Sequence, residues 1–262
     1  MGWNPFRRAP RLHVARDEGE GPVAVFLHGI AASSVTWTFV VPMLADRYRC
    51  ICVDLLGFGE SPIPEDAEYT LKEHVDAVAR TIDALKLREP FVLVGHSMGS
   101  LIATRYAARN PKRVKRLVLV SPPIYVDPDA LSGDRDRLVQ DFYLKAYRYI
   151  RENREFTLRN GGIVGGLLQI PKFLDINERT WVPFVKSLEH TIESQTTISD
   201  LAALRMPVEI VTGTLDEFTS PGGIRIAERL RGVTVTRVRS ADHVIGKRLA
   251  RAVAAAVVDD GS

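Results

Sequence analysis

Cysteine is nearly absent: the 262 residues include only 2, Cys50 and Cys52. They stand two apart on a stretch that reads as a strand, so their side chains share a face and run parallel, an arrangement poorly suited to a bridge. Free thiols are expected, and a disulfide framework is excluded. Long hydrophobic runs are missing too, and no segment is apolar enough for long enough to span a bilayer. The opening residues Met1 to Arg8 lack the apolar centre of a secretory signal, and Phe6 stands where a myristoylation motif requires Ser or Thr. The expected address is the cytoplasm, with no membrane span.

Excess charge is equally scarce, because 35 Lys and Arg against 32 Asp and Glu leave a formal net charge of +3. The arginines are scattered among acids, with no basic block and no nucleic-acid motif, which removes nucleic acid from the expected partners. Asp54 to Ser61 is Gly-rich but resembles a phosphate loop only loosely, so it reads as a turn shaping the floor of a site and no cofactor or metal is called for.

What is present is a large apolar share, 45% of the residues, enough to bury the core of one catalytic domain bearing an insertion. Near-continuous apolar strands alternate with helix-period stretches. That rhythm is the mark of the α/β class, with a mostly parallel central β-sheet covered by helices on both faces. Leu12 to Ala15 adds an antiparallel edge, Val23 to Leu27 is the first strong strand, and Trp37 to Leu44 reads as a helix. Tyr48 to Val53 is the next strand. Thr70 to Glu73 forms a capping box, and Leu71, Val75, Val78, Ile82 and Leu85 then recur at helical spacing.

After the strand Arg116 to Val120 the rhythm changes at Ser121-Pro122-Pro123. From about Ile124 to Arg205 helical periods take over, with Leu138 to Phe156 and Thr180 to Thr191 the clearest. The expected organisation is therefore a core made of residues 1–122 and 206–262, interrupted by a helical cap at 123–205. Gly161 to Leu168, both Gly-rich and apolar, reads either as a mobile gate or as a plain helix-to-helix turn.

Gly95-His96-Ser97-Met98-Gly99 carries the chemistry. It follows the apolar run Phe91 to Val94 and precedes a helical pattern, which makes it a nucleophile elbow: a strand turning into a helix within one residue strains that residue and needs small neighbours. Ser97 would then stand clear at the carboxyl end of the sheet, near the positive end of the following helix. The strand Pro207 to Thr212 runs into a turn that offers Asp216, and the strand Val233 to Val238 is followed by His243. The roles implied are His243 as general base and Asp216 as the acid that orients it. Glu217, Asp242 and Asp127 remain alternative acids, Asp242 being the weaker because neighbouring side chains seldom converge. Two backbone donors must meet the oxyanion: Met98, after the nucleophile, and Ile30, in the loop that begins at His28-Gly29. His28 itself reads as a hydrogen-bonded structural histidine.

His28-Gly29-Ile30, Asp54 to Ser61, the elbow, Asp216 and His243, in this order, resemble the α/β-hydrolase fold family, in particular its serine-nucleophile esterase and lipase-like members with a helical cap. The resemblance covers most of the chain. It implies a serine hydrolase that cleaves carboxylic esters through an acyl-enzyme, with a small-molecule ester as partner, of small to medium apolar acyl or aromatic type. Tyr125, Phe142, Trp181 and Val244 are the expected substrate contacts, among cap aromatics that also include Tyr143, Tyr147, Phe156, Phe173 and Phe184. Serine at position 97 excludes the aspartate-nucleophile members. Carbon–carbon bond hydrolases usually carry an aromatic where this chain has Val244, whereas cofactor-free haloperoxidase or perhydrolase action shares the same triad. Glu152, Glu155, Glu178 and Glu189 are candidates for holding a substrate amine but read as solvated. Outside enzymes, a ligand receptor with a retained triad is the remaining reading.

Overall fold

A computed structural model describes residues 8–131, 133–159 and 176–258. Gly161 to Leu168 and Phe173 lie outside the described residues. Among those described, strands β1 (Val14–Glu18), β2 (Val23–Leu27) and β3 (Arg49–Val53) precede helix α1 (Leu71–Ala84). Then come β4 (Phe91–His96), α2 (Met98–Arg109) and β5 (Val114–Val120). Helices α3 (Asp134–Glu152), α4 (Trp181–Ser187) and α5 (Thr197–Ala203) follow, with a π-helical turn at Leu188–Glu193 continuing α4. The chain closes with β6 (Val208–Gly213), α6 (Pro221–Glu228), β7 (Val233–Val238) and α7 (Lys247–Val258).

The seven strands form one sheet in the order β1-β3-β2-β4-β5-β6-β7. β1 is antiparallel to β3, and every other neighbouring pair is parallel. Both faces are covered, which is why the strands read as unbroken apolar runs rather than alternating ones. Val25, Leu27, Leu93, Leu117 and Leu119 pack into one core with Val75, Val78 and Ile82 of α1 and Leu101 and Ile102 of α2. Ala24, Phe26, Val92, Val94 and Val118 pack into the other with Trp37, Leu44 and the α7 residues Leu249, Val253 and Val257. Cys50 and Cys52 fall in this second core as free thiols. Burial pushes them up to about 11 and about 12, which leaves them protonated and inert at neutral pH.

Local signals account for the element ends. Thr70 caps α1 by accepting from the Glu73 amide, and Glu73 Oε2 returns an acceptor to the Thr70 amide at 2.9 Å. The Trp37 to Leu44 stretch departs from expectation: it forms two short 3₁₀ turns, Ser34–Trp37 and Val41–Met43, in place of one helix. Pro42 has no N–H to give a longer helix, and Thr38, Val40 and Val41 are β-branched, which disfavours continuous α-helix. The edge strand runs Val14–Glu18 rather than Leu12 to Ala15.

Between β5 and β6 the described residues hold helices and no strand. This segment is fastened to the core beside α1. Thr191 Oγ1 donates to the Tyr69 carbonyl at 2.9 Å, Lys186 Nζ to the Ala67 carbonyl at 2.9 Å, and His74 Nε2 lies 3.1 Å from Ser187 Oγ.

Candidate active site

Ser97 occupies the single residue between β4 and α2, with φ 51 and ψ −123. Positive φ in a non-glycine residue is strained and persists only where the surroundings dictate it. Here they do. A Cβ on Gly95 would lie 2.4 Å from the Gly99 carbonyl oxygen, and one on Gly99 would lie 2.4 Å from the carbonyl oxygens of both His28 and Leu27. The turn is pinned by the Ser97 amide donating to Val120 O at 2.9 Å and by Ser100 Oγ donating to Gly95 O at 2.7 Å. Met98 opens α2, where the first amides of a helix have no intrahelical acceptor and point toward any anion placed there.

Two loops at the carboxyl ends of β6 and β7 are zipped together by their backbones. The Thr214 amide donates to Val238 O at 3.0 Å, the Leu215 amide to Ala241 O at 2.9 Å, and the Ser240 amide to Thr214 Oγ1 at 3.0 Å. Gly213 permits the approach, since a Cβ there would lie 2.1 Å from Ala241 O. This zip sets His243 Nδ1 2.9 Å from Asp216 Oδ1, which also accepts the Phe218 amide at 3.0 Å. The alternative acids lie otherwise: Asp242 accepts the Val244 amide, and Asp127 caps Asp129 on the surface. Burial pushes the Glu217 carboxyl up, above the usual range.

Burial of Asp216 would raise its pKa, but the charge of His243 and the hydrogen bonds from His243 and the Phe218 amide outweigh it and leave the carboxyl below its ordinary value. His243 shows the mirror effect. Burial works to lower its pKa, and the charge and hydrogen bond of Asp216 more than reverse that, so the imidazole is held above 6.5.

The loop after β2 supplies the facing wall. His28 is fully buried; its Nε2 accepts the Leu55 amide at 2.8 Å while Nδ1 donates to Gly29 O at 2.7 Å. Burial drives its pKa down to about 4, so the ring is neutral and structural. Asp54 steadies the same loop, accepting from the amides of Ser34 at 2.8 Å and Glu60 at 3.0 Å. A Cβ on Gly29 would come within 3.1 Å of Ser97 Cβ, so glycine lets this loop close over the elbow.

These parts meet around a cavity of about 560 Å³. Ser97, His243, Ile30 and Val244 line it, together with Phe39 on one side and Tyr147, Ile150, Phe184, Leu188 and Ile192 of the inserted helices on the other. No Asp, Glu, Lys or Arg is among the described lining residues. Nor is any group of three or more His, Cys, Asp or Glu among the described residues placed to hold a metal, and none of their helices is long and apolar enough to cross a membrane.

The family described as alpha/beta hydrolase fold matches residues 22–160, which is more than half of the chain. The chain belongs to the α/β-hydrolase fold family. A probable lysophospholipase of Arabidopsis thaliana, BODYGUARD 4, is 44% identical over 111 residues, covering 42% of this chain and 26% of that protein. A pimeloyl-[acyl-carrier protein] methyl ester esterase of Aeromonas hydrophila is 36% identical over 141 residues, covering 50% of this chain and 54% of the esterase. The match thus spans about a quarter of the plant protein and about half of the bacterial one. Among solved structures, the enol-lactonase of Burkholderia xenovorans LB400 superposes with TM-score 0.69 at 21% identity, covering 95% of each chain, a likeness of fold.

Of the four expected substrate contacts in this α/β-hydrolase, Val244 lines the cavity and Tyr125, Phe142 and Trp181 are not among its described lining residues. Tyr125 is buried, its hydroxyl 3.0 Å from that of Tyr147 and donating to Phe218 O at 3.2 Å. Phe142 is 58% exposed on α3. Trp181 is buried with its ring 6.1 Å from that of Phe184. Their neighbours Tyr147 and Phe184 take the lining positions instead. Sequence reasoning also missed two supports of His243. Phe218 packs edge-on against its ring at 4.9 Å, and His96 Nε2 donates to its carbonyl at 2.9 Å. His96 had a signal, being the variable residue of the elbow motif; Phe218 had none beyond lying two residues from Asp216.

Proposed function

We propose that the protein is a serine hydrolase that cleaves carboxylic esters of small to medium apolar acyl or aromatic type. The observation that carries this reading is the strained Ser97 lining the same cavity as His243, whose Nδ1 is held by the buried Asp216 carboxylate. Ser97 Oγ attacks the ester carbonyl while His243 Nε2 takes its proton, and the amides of Met98 and Ile30 receive the developing oxyanion. The tetrahedral species collapses as His243 returns the proton to the departing alkoxide, which leaves as the alcohol. Water, deprotonated by the same imidazole, then hydrolyses the acyl-enzyme. The described lining residues, none of them Asp, Glu, Lys or Arg, favour substrates whose buried parts are apolar, since an unpaired charge beside them would lose its hydration without compensation. The esterase and lysophospholipase names of the relatives agree with this class of bond. In this reading residues 123–205 are the cap over the site.

A fluorophosphonate probe tests the proposal. Labelling should map to Ser97 in the folded protein, and Ser97→Ala should abolish both labelling and turnover of p-nitrophenyl esters while the thermal midpoint stays nearly unchanged. Turnover retained by Ser97→Ala would remove this residue from the mechanism.

A further inference from the structure

Asp216 holds His243 with one oxygen only. Its side chain is fully buried, and both of its assigned bonds, from His243 Nδ1 and from the Phe218 amide, fall on Oδ1. Oδ2 is buried and accepts no hydrogen bond, and the buried hydroxyl of Ser121 is without a partner as well. A buried carboxylate oxygen left bare is costly, and a serine hydroxyl is a donor that rotates to suit. These two orphaned atoms are therefore complementary in sense. The fold also brings them to the same end of the sheet, for Val120 pairs with Val211 of the strand that leads to Asp216, and Ser121 is among the groups that lower the Asp216 carboxyl.

The backbone at Ser121 has been shaped for this. It is the first residue past β5, its amide donates to Val211 O at 2.8 Å on the strand that leads into the acid loop, and its φ is 50. A left-handed serine is uncommon. The side chain is fully buried.

We infer that Ser121 is a positioning residue whose hydroxyl donates to Asp216 Oδ2 and fixes the plane of that carboxylate against His243. With Oδ2 restrained, the carboxylate cannot swing its Oδ1 out of line with the imidazole during proton transfer. The role rests on the proposed triad, so its test is built to fail separately from it.

The variants are Ser121→Ala, which removes only the oxygen, and Ser121→Gly, which removes it while relieving the positive φ. Each should lower kcat on a p-nitrophenyl ester at least tenfold at pH 8, leave KM within twofold, and slow fluorophosphonate labelling in parallel. In an Asp216→Asn background the same substitutions should change the labelling rate less than twofold, because Ser121 acts only through Asp216. Equal losses in both backgrounds, or no loss in either, would overturn the inference, as would opposite effects of Ala and Gly that follow backbone strain. If neither variant folds, a neutron structure of the unaltered protein decides: a deuteron between Ser121 Oγ and Asp216 Oδ2 supports the inference, and one directed elsewhere refutes it. Activity surviving Ser97→Ala would bring down the esterase reading instead, a separate outcome.

Discussion

Acid should unfold this protein early, because three of its histidines are locked in the neutral state. His28, His74 and His96 are buried, and burial pulls their pKa values to about 4, about 3 and about 3 from an ordinary value of 6.5. Above pH 6.5 both folded and unfolded chains carry these rings neutral, and there is no effect. Below 6.5 the unfolded chain takes up protons that the folded one refuses, so stability is lost from there down toward the folded values. At pH 5 each ring costs about 2 kcal/mol, from ~1.4 kcal/mol per unit over about 1.5 units, and the three together about 6 kcal/mol. Set against a typical stability of about 5–15 kcal/mol, that is a large fraction. His243 works in the opposite direction: its raised pKa gives stability that is fully present below 6.5 and lost as the pH rises through its folded value. Urea unfolding at pH 7, 6 and 5 reads the balance. His74→Gln, which leaves an amide near Ser187 but no titrating ring, should cut the loss between pH 7 and 5 by about 2 kcal/mol relative to the unaltered protein. A stability that changes by less than about 1 kcal/mol over this range, or a variant with the same pH loss, would refute the reasoning.

The remaining predictions concern the site. Asp216→Asn should lower kcat by roughly 10³–10⁴, as expected for loss of the orienting acid, and should move the acid limb of the kcat/KM profile to lower pH, because the charge that holds His243 above 6.5 is gone; a limb that stays put would place the controlling charge elsewhere. Gly99→Ala should destabilise by more than about 3 kcal/mol, since the new Cβ meets two backbone oxygens that cannot yield; a thermal midpoint near that of the unaltered protein would mean that the elbow can open.

Much of the site was legible because its constraints are local in sequence. Gly95 and Gly99 are dictated by backbone contacts within the elbow and with the strand beside it, and such contacts leave a fixed spacing in the chain. The choice among Asp216, Glu217 and Asp242 was not legible in the same way. It depends on how Gly213 lets two loops, some thirty residues apart, lie against each other. Which cap aromatics line the cavity was hard to read for a different reason. Helical periodicity shows which residues of α3 share a face, but aromatics occupy more than one of its faces, and nothing local says which face looks down. Tyr147 took the lining position and Phe142 went outward. In Trp37 to Leu44 the apolar content suggested a helix, but Pro42 and the β-branched neighbours decided for short 3₁₀ turns.

These two classes of constraint have different mechanical owners. Ser97 is fixed by its own amide on Val120 and by glycine contacts; Asp216 and His243 are fixed by the hydrogen bonds of Thr214, Leu215 and Ser240; and His96 ties the elbow to the His243 carbonyl. These ties run between residues at the carboxyl ends of β2, β4, β5, β6 and β7, and none of them involves a residue of the helices between β5 and β6. The cavity, by contrast, takes Tyr147, Ile150, Phe184, Leu188 and Ile192 from those helices. If the proposed reaction holds, substitutions on the helices between β5 and β6 should therefore alter which substrate is accepted while leaving Ser97, His243 and Asp216 in register, whereas a change at Gly213 or Gly99 should damage turnover of every substrate alike.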